Sequence, residues 1–252
     1  MLIDTHCHIH DSEHFPNPQE EIDLAKANGV EKIVVVGVNP ADWQVATDFA
    51  DKYDNVYAIC GWHPNYTADY DAMDMPKLIR FLRHPKVLAV GEIGLDYHWN
   101  YSPSSIQQKA LRDQLRLAAD SDMPVVFHAR EAYSDLLDIL EQLPPRPYLF
   151  HCFTGTLDEA RRALRLGAFF GCDGPITYKK ADELRQVFSL IPPHKIVLET
   201  DSPYMPPVPH RGSTNRPAYI PHINKVLADL HNMSEEEMAS QTTQNATDFF
   251  KF

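Results

Sequence analysis

The chain has 252 residues, 44% of them hydrophobic, and a formal net charge of -12. That length fits one large domain or two small ones, of which a single domain over residues 1–252 with a sizeable core is expected, and no apolar run reaches the roughly 18 residues that a bilayer span needs. The acidic balance argues against a broad basic face for duplex nucleic acid, but not against a substrate gripped locally by metal and a few cations.

Cys7, Cys60, Cys152 and Cys172 follow no CxxC or zinc-finger spacing and read as small buried thiols rather than disulfide partners. A basic-plus-apolar leader is missing from the first residues, so a cytoplasmic location is expected.

In chain order, Leu2-Ile3-Asp4 begins an extended segment that runs into His6 and His8. Period-two geometry puts both imidazoles on one side, where they can hold one metal ion. Asp4, one period earlier, either orients an imidazole or serves as a structural acceptor. Residues 20–28 read as a helix stopped by Gly29. A β-branched strand at 32–37, a helix at 40–52 and a strand at 55–60 follow, the last ending in Gly61-Trp62-His63-Pro64. After a helix at 76–82, the strand at 86–90 stops at Gly91-Glu92-Ile93-Gly94, which places Glu92 at its end.

Residues 104–121 form the clearest amphipathic helix, with Leu111, Leu115 and Ala118 on its apolar face and Arg112, Asp113, Arg116 and Asp120 toward water. Then come a strand at 124–128 ending in His128, a helix at 133–143, a strand at 148–151 ending in His151, and a helix at 157–166 stopped by Gly167. A weaker strand at 168–171 and a strand at 195–200 that ends at Asp201 complete the extended segments. Residues 206–221 are the longest irregular stretch, and helices fit 220–230 and 234–250.

Eight strands alternating with helices imply a (β/α)8 TIM barrel, with an open doubly wound sheet as the competing arrangement. The candidate ligands sit at strand C-termini, where barrel active sites form. The simplest partition places one divalent ion near His6, His8 and Asp201 and another near His128 and His151. Glu92 would be shared, because a carboxylate has two oxygens; its alternative is a salt bridge inside the barrel. Two cations about 4 Å apart would clamp a phosphate oxygen, lower the water pKa and neutralise the leaving oxygen. One or two ions fit this pattern, and Mg2+, Mn2+ and Zn2+ are not distinguished by it.

Several motifs carry a resemblance: Asp4-Thr5-His6-Cys7-His8-Ile9-His10, Gly61-Trp62-His63-Pro64-Asn65, Gly91-Glu92-Ile93-Gly94-Leu95-Asp96-Tyr97, Pro124-Val125-Val126-Phe127-His128, His151-Cys152-Phe153-Thr154-Gly155, Leu198-Glu199-Thr200-Asp201-Ser202-Pro203-Tyr204 and Pro209-His210-Arg211-Gly212. With these the chain resembles the TatD family of metal-dependent deoxyribonucleases, within the amidohydrolase-like barrels. The resemblance implies a barrel, phosphodiester hydrolysis, and metal-ligand positions at His6, His8, Glu92, His128, His151 and Asp201. It also implies 3'-to-5' exonuclease action, and an acidic protein favours a single-stranded or frayed DNA end over long duplex. The family commonly has an acidic residue after the late Asn, whereas Asn215 is followed here by Arg216 and Pro217, so Arg216 either favours a phosphate or forms an ion pair.

Toward substrate, His63 could donate to a phosphate or assist proton movement. Arg130 and Arg211 could pair with phosphate oxygens, or be solvated or paired within the protein. Tyr97 could face a nucleobase or pack in the core, and Trp99 and Tyr101 raise the same choice. The catalytic set expected is Asp201 as base toward water, Glu92 between the ions, and His63 in support. Glu199 is a supporting acceptor rather than a ligand. An amide, lactone or other ester hydrolase of the same barrel type is the alternative reading, followed by a noncatalytic metal-dependent nucleic-acid-binding protein. Neither a membrane nor an obligatory protein partner is expected.

Overall fold

The computed structural model describes residues 1–99 and 101–252. Its strands are β1 (Leu2–Cys7), β2 (Val30–Gly37), β3 (Val56–Cys60), β4 (Val87–Asp96), β5 (Val125–Arg130), β6 (Tyr148–Phe150), β7 (Phe169–Cys172) and β8 (Ile196–Leu198). They follow one another in chain order in a single eight-stranded sheet, and with the intervening helices they form a (β/α)8 barrel. The helices are α1 (Pro18–Ala27), α2 (Pro40–Lys52), α3 (Met75–Leu82), α4 (Ser104–Asp120), α5 (Tyr133–Leu140), α6 (Leu157–Arg165), α7 (Asp182–Leu190), α8 (Ile220–His231) and α9 (Glu235–Phe250). Several elements depart from the sequence pattern. β4 continues past Glu92 to Asp96 and β5 past His128 to Arg130, so both residues lie inside strands; β8 stops at Leu198, short of the expected Thr200; and α7 fills a segment that carried no helix signal.

The chain divides into two compact units, Met1–Val35 with Phe170–Lys251 and Val36–Phe169 with Phe252. In the first, β1 runs parallel to β2 with Cys7 opposite Val35, and β7 runs parallel to β8 with Gly171 opposite Val197. β1 is laced to β8: Thr5 Oγ1 donates to the Leu198 carbonyl at 3.0 Å, and the Asp201 and His8 N–H groups donate to the His6 and Ser202 carbonyls at 2.9 and 2.7 Å. The fully buried Asp4 carboxylate accepts the Thr200 N–H at 3.0 Å and its hydroxyl at 2.6 Å. Burial pushes the Asp4 carboxyl up to about 7, against the pull of those two bonds. α9 starts at a Ser234–Glu237 capping box, and its Asn245 amide donates to the Pro193 and Ile196 carbonyls, which seats the helix against the entry to β8.

In the second unit β4 pairs with β5 and β5 with β6, all parallel, with Asp96 opposite Arg130 and Phe127 opposite Phe150. Leu111, Leu115 and Ala118 are buried on α4 as their spacing requires. So are two glutamines two turns apart, Gln107 and Gln114, which the apolar pattern does not account for. Gln114 accepts the Trp62 N–H at 2.6 Å and donates to the Trp62 carbonyl at 3.1 Å. Gln107 does the same at Asp96, with distances of 2.8 and 2.9 Å. Each side-chain amide thus satisfies both backbone groups where β3 and β4 run out of strand partners, and so fixes the backbone beside His63 and at Asp96.

Cys7, Cys60, Cys152 and Cys172 are all free thiols, and all but Cys152 are buried. Among the described residues no helix is long and apolar enough to cross a membrane.

Candidate metal centre

Each unit gathers part of the expected ligand set. In the first, β1 delivers His6 and the residues just beyond it deliver His8, with ring centroids 5.5 Å apart. Both Nε2 atoms face one oxygen of Asp201, at 3.9 Å from His6 and 3.4 Å from His8. Asp201 follows β8 with a φ of 54°, a left-handed conformation that Asp tolerates better than most side chains. The fully buried Glu199 stands against Gly171, where a Cβ would overlap its carboxylate. Asp4 does not orient an imidazole: its contacts are to Thr200 and to the backbone N–H of His6.

In the second unit three imidazoles converge on one oxygen of Glu92. His128 Nδ1 lies 2.9 Å from Oε1, His63 Nε2 3.6 Å and His151 Nε2 3.7 Å. The Glu92 side chain is only 4% exposed. Ligand-type atoms of His63, Glu92 and His128 lie within 4.8 Å of one another. Mixed imidazole and carboxylate donors at this spacing suit a divalent cation. The long β4 depends on Gly94, whose φ of 150° brings its backbone so close to β5 that a Cβ would overlap the His128 carbonyl.

The two ring states differ. Burial drives His63 down to about 3, so its imidazole is neutral. Its Nδ1 accepts the Asn65 N–H at 3.1 Å, which leaves the ring proton on Nε2. Burial also opposes charge on His128, but hydrogen bonds to Asp96 and Glu92 outweigh it and raise the imidazole above its ordinary value. Asp96 joins this nest although the sequence reading gave it no role. Its Oδ2 lies 2.8 Å from His128 Nε2, and despite burial the contacts with His128 and with the Trp99 N–H hold its carboxyl near 2.

The arginines make contacts of their own. Arg130 ends β5 with an exposed guanidinium 5.4 Å from the Trp99 ring centroid. It also lines a cleft of about 560 Å³ with Tyr133, Thr154 and Glu159. Arg211 is exposed and lies 3.8 Å over the Tyr178 ring. Arg216 takes the ion-pair alternative, with Nη1 3.3 Å from Glu21 Oε1.

A family model described as TatD related DNase matches residues 3–251. The metal-dependent hydrolase YabD of Bacillus subtilis is 37% identical over 253 residues, covering 100% of this chain and 99% of that protein. The Citrobacter rodentium protein named 3'-5' ssDNA/RNA exonuclease TatD is 32% identical over 258 residues, covering 99% and 97%. The crystal structure of YjjV, a TatD homologue from Escherichia coli K12, superposes with a TM-score of 0.94 at 32% identity, covering 100% of this chain and 98% of that one.

Proposed function

Because the chain belongs to the TatD related DNase family and is a metal-dependent hydrolase, we propose that it cleaves phosphodiester bonds from the 3' end of single-stranded or frayed nucleic acid. The observation that carries this reading is the convergence of the His128 and His151 imidazoles on Glu92 Oε1, a mixed imidazole and carboxylate set that suits a cation.

In this proposal His6, His8 and Asp201 hold one divalent ion, and Glu92, His128 and His151 hold a second; Mg2+, Mn2+ and Zn2+ are all admissible. When bound there, such ions supply Lewis acidity toward a phosphoryl oxygen and a lowered pKa for water. The remaining work belongs to side chains. Asp201, 13% exposed at its side chain, accepts the proton of the attacking water. His63 presents Nε2–H, so its role is to donate to a phosphate oxygen and not to act as a base. The exposed guanidiniums of Arg130 and Arg211 pair with flanking phosphates. A net charge of -12 favours a thin strand end over a duplex lying across the surface. DNA is the proposed substrate, with RNA admitted by the name of the Citrobacter relative. Four free thiols fit a cytoplasmic, reducing setting.

The test is a matrix of divalent metals against end-labelled single strands, with His128→Ala run in parallel. Stepwise shortening from the 3' end is expected, and the variant should lose on the order of 100-fold or more in turnover while keeping its circular dichroism. Unchanged turnover of the variant at saturating metal overturns the ligand assignment, and internal cuts without progressive shortening overturn the exonuclease reading. Model amides and lactones complete the substrate panel.

A further inference from the structure

Just beyond β4 two large aromatic rings face solvent. Trp99 is 42% exposed and Tyr101 61% exposed, and their rings stack with centroids 5.6 Å apart and planes 16° from parallel. Burying such rings in the interior would be favourable, so an exposed pair held face to face needs a reason.

The Trp99 end of the pair is held firmly. Asp96 Oδ1 accepts the N–H groups of both His98 and Trp99 at 3.0 Å, while Oδ2 of the same carboxylate meets His128. The His98 ring packs edge-on against Trp99 at 4.8 Å, and its Nδ1 is 2.7 Å from Glu131. The platform is therefore anchored to the same carboxylate that positions a proposed metal ligand. The Arg130 guanidinium lies beside it, over the Trp99 ring, and meets no carboxylate among the described residues. Tyr97 is not part of the platform, because its hydroxyl is committed to Asp135 at 2.8 Å and to Gln108 at 2.9 Å.

We propose that Trp99 and Tyr101 form a stacking platform for unpaired nucleobases, with Arg130 set to hold the phosphate joined to the stacked nucleotide. The inference rests on the phosphodiesterase reading and deepens it, since it names what makes the substrate single-stranded. Every base has a π-face, so stacking holds a strand without reading its sequence; a paired base already stacks within its duplex and offers no free face. The adjoining cation supplies the charge complement that a bare aromatic patch lacks.

The fold provides a reporter for this binding. Trp43 and Trp62 are buried, at 0% and 4% exposure, so Trp99 is the solvent-facing tryptophan. The experiment titrates the protein in Mg2+ with a phosphorothioate single strand that resists cleavage, and with the same strand carrying abasic sites at its three terminal positions, reading tryptophan emission and strand anisotropy. The base-bearing strand should quench emission and bind roughly tenfold or more tightly than the abasic strand. Trp99→Phe should lose the quench while keeping the preference, and a Trp99→Ala, Tyr101→Ala double variant should bind both strands alike. Equal binding of the two strands by the unaltered protein, or a preference that survives the double substitution, overturns the platform. Cleavage of an unmodified strand by the unaltered protein is the separate readout for the phosphodiesterase reading, so the two ideas fail by different measurements.

Discussion

At Asp96 a single carboxylate serves His128 with one oxygen and the His98–Trp99 turn with the other. The pair has a defined pH signature in the metal-free protein. Asp96, held near 2 against an ordinary 3.8, contributes stability above pH 3.8 that is lost as the pH falls toward 2. His128, raised above an ordinary 6.5, contributes stability below pH 6.5 that is lost as the pH rises through its elevated value. Urea unfolding in EDTA should accordingly show a stability component between about pH 4 and 6.5 that Asp96→Asn reduces, the His128–Glu92 part remaining. In the proposed ligand set His128 has to be a neutral imidazole, so binding a divalent ion there should displace its proton. Calorimetry in buffers of different ionisation enthalpy should detect that release, with affinity climbing with pH until the raised value is passed. Asp96→Asn should also weaken metal binding by about 10- to 100-fold. This residue was hard to find from sequence because Gly91 and Gly94 read as the end of a strand. In fact Gly94 lets the backbone press on β5 and continue two residues more, to Asp96.

At the scale of the element, α4 does more than cover the barrel. Gln107 and Gln114 substitute for missing strand neighbours at Asp96 and Trp62, and both are almost wholly buried. Removing one amide leaves a backbone donor and acceptor unpaired, so Gln114→Ala should cost about 1–3 kcal/mol in urea unfolding. Leu111, Leu115 and Ala118 revealed the buried face of α4, but a hydrophobic pattern scores its two glutamines as defects. The β-branched runs and their histidine ends were legible because burial on both faces of a barrel strand selects those side chains. α7 was not: within Asp182–Leu190 only Val187 and Phe188 are buried, too little apolar surface to set a period. Likewise, Arg216 could not be assigned from sequence because Glu21, its partner, is nearly 200 residues away along the chain.

Over the whole molecule, eight alternations of strand and helix made the barrel readable, since few other folds use that order. The nests themselves were visible only as residues at strand ends; the hydrogen bonds that orient them arise from tertiary packing. Metal that binds the folded chain alone stabilises it by mass action, about 2.7 kcal/mol at a free concentration 100 times the dissociation constant. Chelation should therefore lower the melting temperature, and readdition of Mn2+ or Zn2+ should restore it. The buried cysteines offer a second probe of the fold. Burial holds the thiols of Cys7, Cys60 and Cys172 above their usual range, so each is shielded both from reagent and from ionisation until the fold around it opens. Cys7 and Cys172 lie in one compact unit and Cys60 in the other. They are built-in clocks for local opening: pulse alkylation read by mass spectrometry should find each of the three modified far more slowly than the partly exposed Cys152, at a rate that reports the opening of its own surroundings.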